Sequence, residues 1–343
     1  MKRNRVASLL MAMALSVGLM GCTAANQTQA TPDVQASQEV FQGEDVRLAV
    51  ISGPTGIGAA KLLSDSDQDQ TVNHYEYTIA TDNNEVVSGL TSQDGEFDIA
   101  MVASNMAANL YNKTQGDVKI LALGTQGVLH ILEGKGGNTI QSMADLKGKT
   151  IYATGQGANP EYILRHLLTE NGLNPDEDVE IVFADATEIS AKLLSGEIDT
   201  AMLPVPAATA AIAKGQGSIR DAIDMTSAWN DLDNGSQLIM SAVVARTDFI
   251  EEHPQAVQAF LKEYEASMTY VKENPQEAGE LVAGFGIAPS AAIAQKAIPQ
   301  CNLVFVSGAD MKPAINGYFE VLYAMDPTAV GGAMPDDDIY YVP

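Results

Sequence analysis

Two stretches of the chain, GEFDIAMVASNMAANL at residues 95–110 and GEIDTAMLPVPAATAA at residues 196–211, align without gaps at an offset of 101 residues. Six of the sixteen positions are identical, and both stretches open on Gly-Glu-x-Asp. In each, a short apolar run typical of a buried strand leads directly into a helical stretch. The copy predicts two lobes of similar topology, with convergent strand–helix patterning as the alternative.

The same alternation continues on both sides of each copy. Predicted strands cover residues 46–52, 75–80, 97–103 and 118–123, and then 149–154, 179–184 and 200–203. Predicted helices cover residues 58–64, 84–93 and 106–112, and then 159–171, 188–195 and 207–214. Short β-branched runs between helices are typical of a parallel sheet covered by helices on both faces.

After residue 237 the pattern changes. An apolar strand at residues 238–246 precedes a long helical region that begins near residue 253, with further helices at 290–298 and 309–324. Six apolar side chains lie on one face of the first of these helices: Val257, Phe260, Leu261, Tyr264, Met268 and Val271. These helices have no predicted strands to cover, so we expect them to pack back on the first lobe. The chain would then cross between lobes near residues 128–132 and 241–246, and two crossing strands form a hinge beside a cleft.

Composition limits the class of function. The chain has 343 residues, of which 46% are hydrophobic and 18% charged, so it is neither disordered nor collagen-like. It has 19 Lys and Arg against 44 Asp and Glu, for a net charge of −25. A surface this negative repels phosphate backbones, which excludes nucleic acid as a partner.

The first 22 residues have the pattern of a targeting segment. A basic start is followed by an apolar run at residues 6–20, which is too short for a comfortable membrane span and is typical of a signal peptide over residues 1–21. The run ends in Leu-Met-Gly-Cys, which resembles the lipobox of bacterial lipoproteins and so implies cleavage before Cys22 and lipidation of its thiol by groups such as palmitate. An ordinary secretory signal, or a disulfide between Cys22 and Cys301, is the alternative. Residues 22–44 are polar and non-periodic, which predicts a flexible tether.

Several phrases together resemble the solute-binding proteins of bacterial ABC importers, and within them the NMT1/THI5-like group that binds nitrate, sulfonates, taurine and thiamine pyrimidines. The phrases are SGPTGIGAAKLL, GEFDIAMVASNMAANLY, SMADLKGKTIYATGQGANPEYILRHLL and LLSGEIDTAMLPVPAAT. The resemblance implies an α/β, two-lobed type II periplasmic-binding-protein fold, in which each lobe is a mainly parallel sheet flanked by helices and two crossing strands join the lobes. Residues 45–131 plus 246–343 would form lobe 1 and residues 132–245 lobe 2.

The resemblance also implies a role. It is that of an extracytoplasmic receptor, anchored to the bacterial cell membrane by the lipid on Cys22, that delivers a small-molecule solute to an ABC permease and its ATPase. We expect a monomer that is not an enzyme and needs neither cofactor nor metal. Two alternatives stay open: an enzyme like the fungal thiamine-pyrimidine synthases, which share the fold, and a ligand-sensing partner of a surface receptor.

The ligand site is predicted from the strand ends, because ligands of open parallel sheets bind outside the carboxyl ends of strands, where helix N-termini offer free N–H groups. The loops there carry hydroxyls, amides and glycines but no charged side chains, which suits a small polar or anionic ligand. Helix capping is the alternative role for such residues. The candidates are Ser52, Gly53, Thr55, Ser104, Asn105, Thr125, Thr154, Gly155, Gln156, Asn159, Pro204 and the segment 226–229 with Trp229.

Trp229 is the only tryptophan, and it could either stack on a flat heteroaromatic ligand or pack against the second lobe. The sequence does not support nucleotide binding, metal binding or hydrolysis. The glycines at residues 53–58 lack the Lys-Ser/Thr of a phosphate loop, the four histidines are scattered, and no serine lies in GxSxG or SxxK. We therefore expect no catalytic residue, and the solute class stays open between a sulfonate, nitrate and a pyrimidine precursor.

Overall fold

The computed structural model describes residues 41–81, 83–92 and 95–343, and in this part of the chain eleven strands and thirteen α-helices form. In the first half they are β1 (Asp45–Ile51), α1 (Pro54–Ile57), α2 (Ala60–Ser66), β2 (His74–Ala80), α3 (Asn83–Thr91), β3 (Ile99–Ala103), α4 (Ser104–Thr114), β4 (Val118–Gln126), β5 (Leu129–Glu133), β6 (Thr150–Ala153) and α5 (Asn159–Glu170). In the second half they are β7 (Glu180–Phe183), α6 (Ala186–Ser195), β8 (Thr200–Pro204), α7 (Ala207–Gly215), β9 (Arg220–Asp224), α8 (Met225–Asn230), β10 (Ile239–Arg246), α9 (Thr247–Glu252), α10 (Pro254–Glu273), α11 (Pro275–Gly284), α12 (Ala291–Ala297), β11 (Leu303–Ser307) and α13 (Met311–Met325).

Two sheets carry the fold. Sheet 1 has the strand order β11-β4-β10-β3-β1-β2, with β1, β2 and β3 parallel and β10 antiparallel to both β3 and β4. Sheet 2 has the order β7-β6-β8-β5-β9, with β6, β7 and β8 parallel and β5 antiparallel to both of its neighbours. We call sheet 1 with the helices packed on it the first lobe and sheet 2 with its helices the second lobe. The predicted two-lobed α/β fold is confirmed.

Burial explains why these residues form these elements. The central strands are buried on both faces, as in β3, where Ile99, Ala100, Met101 and Val102 are at most 1% exposed. The apolar stripe of α10 is buried as predicted, with Leu261 as its one partly exposed member. Pro254 starts α10 and Pro275 starts α11, where the missing N–H costs nothing.

Several elements differ from the sequence prediction, among them the short helices α1, α8 and α9, which were not predicted. Residues after 246 do supply a strand of their own, β11, which pairs with β4 at the edge of sheet 1. The expectation that the C-terminal helices have no strand was therefore wrong. The reason is that the five-residue run LVFVS is short and flanked by helices, so its period is weak. Strand β9 and helix α11 were also missed. In β9 the sequence RDAID mixes charged and apolar residues, as befits an edge strand.

The N-terminal predictions (signal peptide, lipidation of Cys22 and most of the tether) lie outside the described residues. Residues 41–44, the end of the predicted tether, contact the body: Phe41 packs against the core, and Glu44 O accepts a hydrogen bond from His74 N at 2.9 Å. Cys301 is a buried free thiol whose pKa burial raises to about 12. In the part of the chain described here, no helix combines the length and apolarity that a membrane crossing requires.

Candidate functional site

The chain crosses twice between the sheets, and these crossings bring the carboxyl edge of sheet 1 next to the carboxyl edge of sheet 2. Strand β4 ends at Gln126 and β5 begins at Leu129, so only two residues separate the carboxyl edge of sheet 1 from that of sheet 2. The start of β5 lies at that edge of sheet 2 because Leu129 pairs with Pro204, the last residue of β8. On the return, β10 begins at Ile239, which pairs with Gln126. The chain thus leaves sheet 1 after residue 126 and re-enters it at residue 239, close to the predicted crossings at 128–132 and 241–246. The lobe limits 131/132 and 245/246 stay a prediction.

The crossings pack tightly against each other at Gly127. A Cβ added to this glycine would lie 2.2 Å from Thr226 Oγ1 and 2.6 Å from Leu238 Cδ2, so only a hydrogen fits. Thr226 is the second residue of α8 in the second lobe, and Leu238 leads into β10 of the first. The hinge and the strand ends of both lobes are thus in direct contact around this residue.

Two predicted site residues from different lobes contact each other directly. Asn159, the first residue of α5, donates from Nδ2 to Ser104 Oγ, at the first residue of α4, over 3.3 Å. The same Nδ2 lies 3.3 Å from Met240 O, and Asn159 Oδ1 accepts from Tyr318 Oη of α13 at 3.0 Å. Asn159 is 2% exposed and Ser104 is fully buried. The N-termini of α4 and α5 therefore face the same place.

Side chains of α5 and α13 cover Trp229, the only tryptophan of the chain. Trp229 of α8 is 1% exposed, and its ring lies edge-on to Tyr318 at 5.5 Å between centroids and tilted against His166 at 4.8 Å. Its Nε1 donates to Ser236 Oγ at 3.0 Å. Trp229 therefore packs inside the protein, which is one of the two predicted alternatives. Stacking of Trp229 on a ligand stays a prediction.

Three buried polar atoms at the strand ends have no hydrogen-bond partner: Asn105 Oδ1, Thr154 Oγ1 and Thr226 Oγ1. Asn105 follows β3, Thr154 follows β6, and Thr226 follows β9, so all three lie at carboxyl edges and both sheets contribute. A buried polar atom left without a partner costs about 1–3 kcal/mol, so such atoms point to groups that are satisfied by something other than the protein. Asn105 and Thr154 are predicted site residues.

Residues 93–278, just over half of the chain, match the family described as NMT1/THI5 like. The chain belongs to the NMT1/THI5-like family. The predicted membership is confirmed, and it rests on the stretch that contains α4, α5 and both crossings.

Solved structures share the fold of this NMT1/THI5-like protein. An ABC transporter protein from Parabacteroides distasonis is 24% identical, with a TM-score of 0.71 over 87% of this chain and 98% of that one. The periplasmic aliphatic sulphonate binding protein of Escherichia coli is 16% identical, with a TM-score of 0.69 over 87% of this chain and 92% of that one. A protein of Brucella abortus is 26% identical over 51% of this chain and 52% of its own length. The chain thus spans about half the length of the curated relatives it matches.

The remaining predicted residues of the NMT1/THI5-like protein surround the same edges. Ser52, Gly53 and Thr55 are half-buried at the end of β1, where Gly53 has a φ of 90° and donates its N–H to Ile287 O at 2.9 Å. Thr125 is buried, and its hydroxyl donates to Ser241 Oγ at 2.7 Å, so it is already satisfied. Gly155, Gln156 and Pro204 lie in or beside the turns after β6 and β8, and Gln156 is exposed.

This edge carries few charged side chains. None of the lysines and arginines among the described residues lies in the turns that follow β1, β3, β4, β6, β8 and β9. Two acidic side chains reach this edge, and both accept from backbone N–H groups: Asp224, the N-cap of α8, from Thr226 N at 2.8 Å, and Glu161 from Gly157 N at 2.8 Å. Within residues 41–81, 83–92 and 95–343, no group of three or more His, Cys, Asp and Glu side chains is placed to hold a metal ion.

A cavity of about 430 Å³ lies elsewhere, at the amino edge of sheet 1, beside the start of β4 and the end of β10. Its arginine, Arg246, is already paired with Asp248, with Nε 3.0 Å from Oδ1. Because it lies at the edge opposite to the unpartnered atoms and the helix N-termini, we do not assign the solute site to it.

Part of this arrangement of residues follows from their positions in the sequence. Ser104, Asn105, Thr154 and Asn159 follow from their positions at strand ends, and Thr226 is named only as the start of a segment. Tyr318 was missed because it carries no local signal. It is one of several buried residues on a face of α13, and its partner is 159 positions away in the chain.

Proposed function

We propose that this chain is an extracytoplasmic solute receptor that binds one small polar or anionic molecule between its lobes and delivers it to the permease of an ABC importer. The observation that carries the proposal is the set of buried, unpartnered polar atoms at the carboxyl edges of both sheets, Asn105 Oδ1, Thr154 Oγ1 and Thr226 Oγ1. A solute that bonds to atoms of both lobes favours the shut arrangement over the open one, which is the population shift that a receptor needs.

Further support comes from the family and from the fold neighbours, some of which are described as sulphonate binding proteins. Neutral donors and acceptors at helix N-termini bind small oxyanions or polar heterocycles without a charged side chain. The proposal includes lipid anchoring on Cys22, a monomeric state and the absence of any covalent step.

A thermal-shift panel on the full chain tests this function. The panel holds taurine, alkanesulfonates, nitrate, a thiamine pyrimidine precursor, riboflavin and amino acids. A solute at a hundred times its dissociation constant stabilises the folded state by about 2.7 kcal/mol, which raises the melting temperature by a few degrees. A rise with one class of compound supports the receptor function and names the solute class, whereas melting temperatures that stay flat across the panel count against it.

A further inference from the structure

One side chain of the second lobe is bonded to three elements of the first. Asn159 reaches Ser104 of α4 and Met240 of β10 through Nδ2, and Tyr318 of α13 through Oδ1, over 3.0–3.3 Å. We call these four residues the Asn159 cluster. Every bond in it joins protein atoms directly, so the cluster holds the lobes together without a bridging molecule.

Three of the four residues of the Asn159 cluster are buried, and burial strengthens the hydrogen bonds between them. Ser104 and Tyr318 are fully buried and Asn159 is 2% exposed. Tyr318 has its hydroxyl bonded to Asn159, and burial raises its pKa further above the usual range. Separation of the lobes breaks all three bonds at once, so the shut arrangement gains from each of them relative to the open one.

Beside the Asn159 cluster, α13 and the residue that follows it make one more polar contact and one apolar contact with the second lobe. Tyr162 Oη of α5 donates to Asp326 Oδ2, just after α13, at 3.2 Å. Trp229 is buried under Tyr318, so the only indole of the chain is covered by the first lobe although it belongs to the second. On the other flank, Thr209 of α7 bonds to Gln300 beyond α12 at 2.8 Å.

We propose that the Asn159 cluster is a latch that holds the two lobes together without a bridging molecule, so that the shut form is already populated in the free chain alongside the open one. Asn159 and Tyr318 are positioning residues in this proposal, since they act by placing one lobe on the other. The latch concerns the conformation alone and stands or falls independently of the proposed function.

Quenching of Trp229 fluorescence by acrylamide tests the latch in the full chain. The shut form protects the indole, and lobe opening uncovers it. A typical net hydrogen bond corresponds to about a fivefold change in an equilibrium. Tyr318→Phe removes one bond and keeps the ring that covers Trp229, so we expect about a fivefold larger open fraction. Asn159→Ala removes three bonds and should open the lobes further, with a red-shifted emission and a larger radius of gyration in small-angle X-ray scattering.

Asn73→Ala is the matched control. Asn73 is 1% exposed and also makes three hydrogen bonds, to Tyr75 Oη, Ala256 O and Glu44 N, but all of them lie within the first lobe. It should lower the melting temperature and leave the quenching of Trp229 unchanged. The latch is refuted if Tyr318→Phe and Asn159→Ala, with native far-UV circular dichroism, quench like the wild type, or if the wild type is already fully quenched.

Discussion

The amino and carboxyl edges of the two sheets are built from different chemistry. At the amino edges the chain places charges and pairs them: Arg47 with Asp98, Arg246 with Asp248, and Arg220 with Glu133. At the carboxyl edges it places hydroxyls and amides, such as Ser104, Asn105, Thr154, Asn159 and Thr226.

The difference follows from what each edge has to do. A charge that is buried inside one lobe must keep its partner, because losing it leaves an uncompensated ion in a low dielectric. Neutral groups can change partners between the other lobe, water and a solute at about 1 kcal/mol per bond. The amino edges therefore hold each lobe rigid, and the carboxyl edges are free to open, close and bind.

The largest effect is expected at the amino edge of sheet 2. The Glu133 carboxylate is 4% exposed and accepts from Thr139 N at 2.9 Å, Thr139 Oγ1 at 2.6 Å and Arg220 Nη2 at 2.6 Å. Glu133→Ala leaves these donors unsatisfied, and we expect the free energy of unfolding to fall by about 3–5 kcal/mol. Urea denaturation measures it. Glu180→Ala, which removes an exposed carboxylate from β7, should change stability by at most about 0.5 kcal/mol. A loss below about 1 kcal/mol for Glu133→Ala would contradict the claim that paired charges hold the amino edges rigid.

The same carboxylate predicts an acid limit. Burial opposes ionisation of Glu133, but hydrogen bonds from Thr139 and Arg220 outweigh it and lower its pKa from 4.5 to about 2. Because the folded pKa lies below the unfolded one, the ionised group stabilises the fold above about pH 4.5, and this contribution is lost as the pH falls to about 2. The difference in unfolding free energy between wild type and Glu133→Gln should be constant near neutral pH and shrink in that window. A difference that stays constant down to about pH 3 would contradict the assignment.

The smallest effect separates two buried threonines at the carboxyl edges. Thr226→Val removes a hydroxyl that has no partner, so we expect stability to rise by about 1 kcal/mol. Thr125→Val removes a hydroxyl that bonds to Ser241, so stability should fall by about the same amount. Urea midpoints of the two variants, which share the same change of chemistry, give the answer. If both variants lose stability alike, Thr226 is satisfied within the protein and is not a solute contact.

Much of the fold could be predicted because its signals are local. The strand over 46–52 appears as Asp45–Ile51 and the helix over 159–171 as Asn159–Glu170, since apolar periodicity and strand-end residues determine both. Strand β11 could not be predicted, because its five residues become a strand only by pairing with β4. Tertiary pairing decides such short runs.

The site was half predictable for the same reason. Strand order places Ser104 and Asn159 at carboxyl edges, and the crossings bring these edges together, so their meeting follows from topology. That α13 lays Tyr318 on Asn159 and covers Trp229 depends on long-range packing, which no local pattern encodes. The neutral character of the strand ends was readable from residue types alone.

The most direct test of the central claim, that solute binds at the carboxyl edges of both lobes, is isothermal titration of the full chain with the panel compound that raises its melting temperature most. The titration is repeated on Asn105→Leu, which removes the unpartnered Oδ1 at similar side-chain volume. We predict saturable binding to the wild type and at least about a tenfold loss of affinity in the variant, equivalent to about 1.4 kcal/mol. Equal affinity for both proteins, or no heat of binding with any compound, would contradict the account.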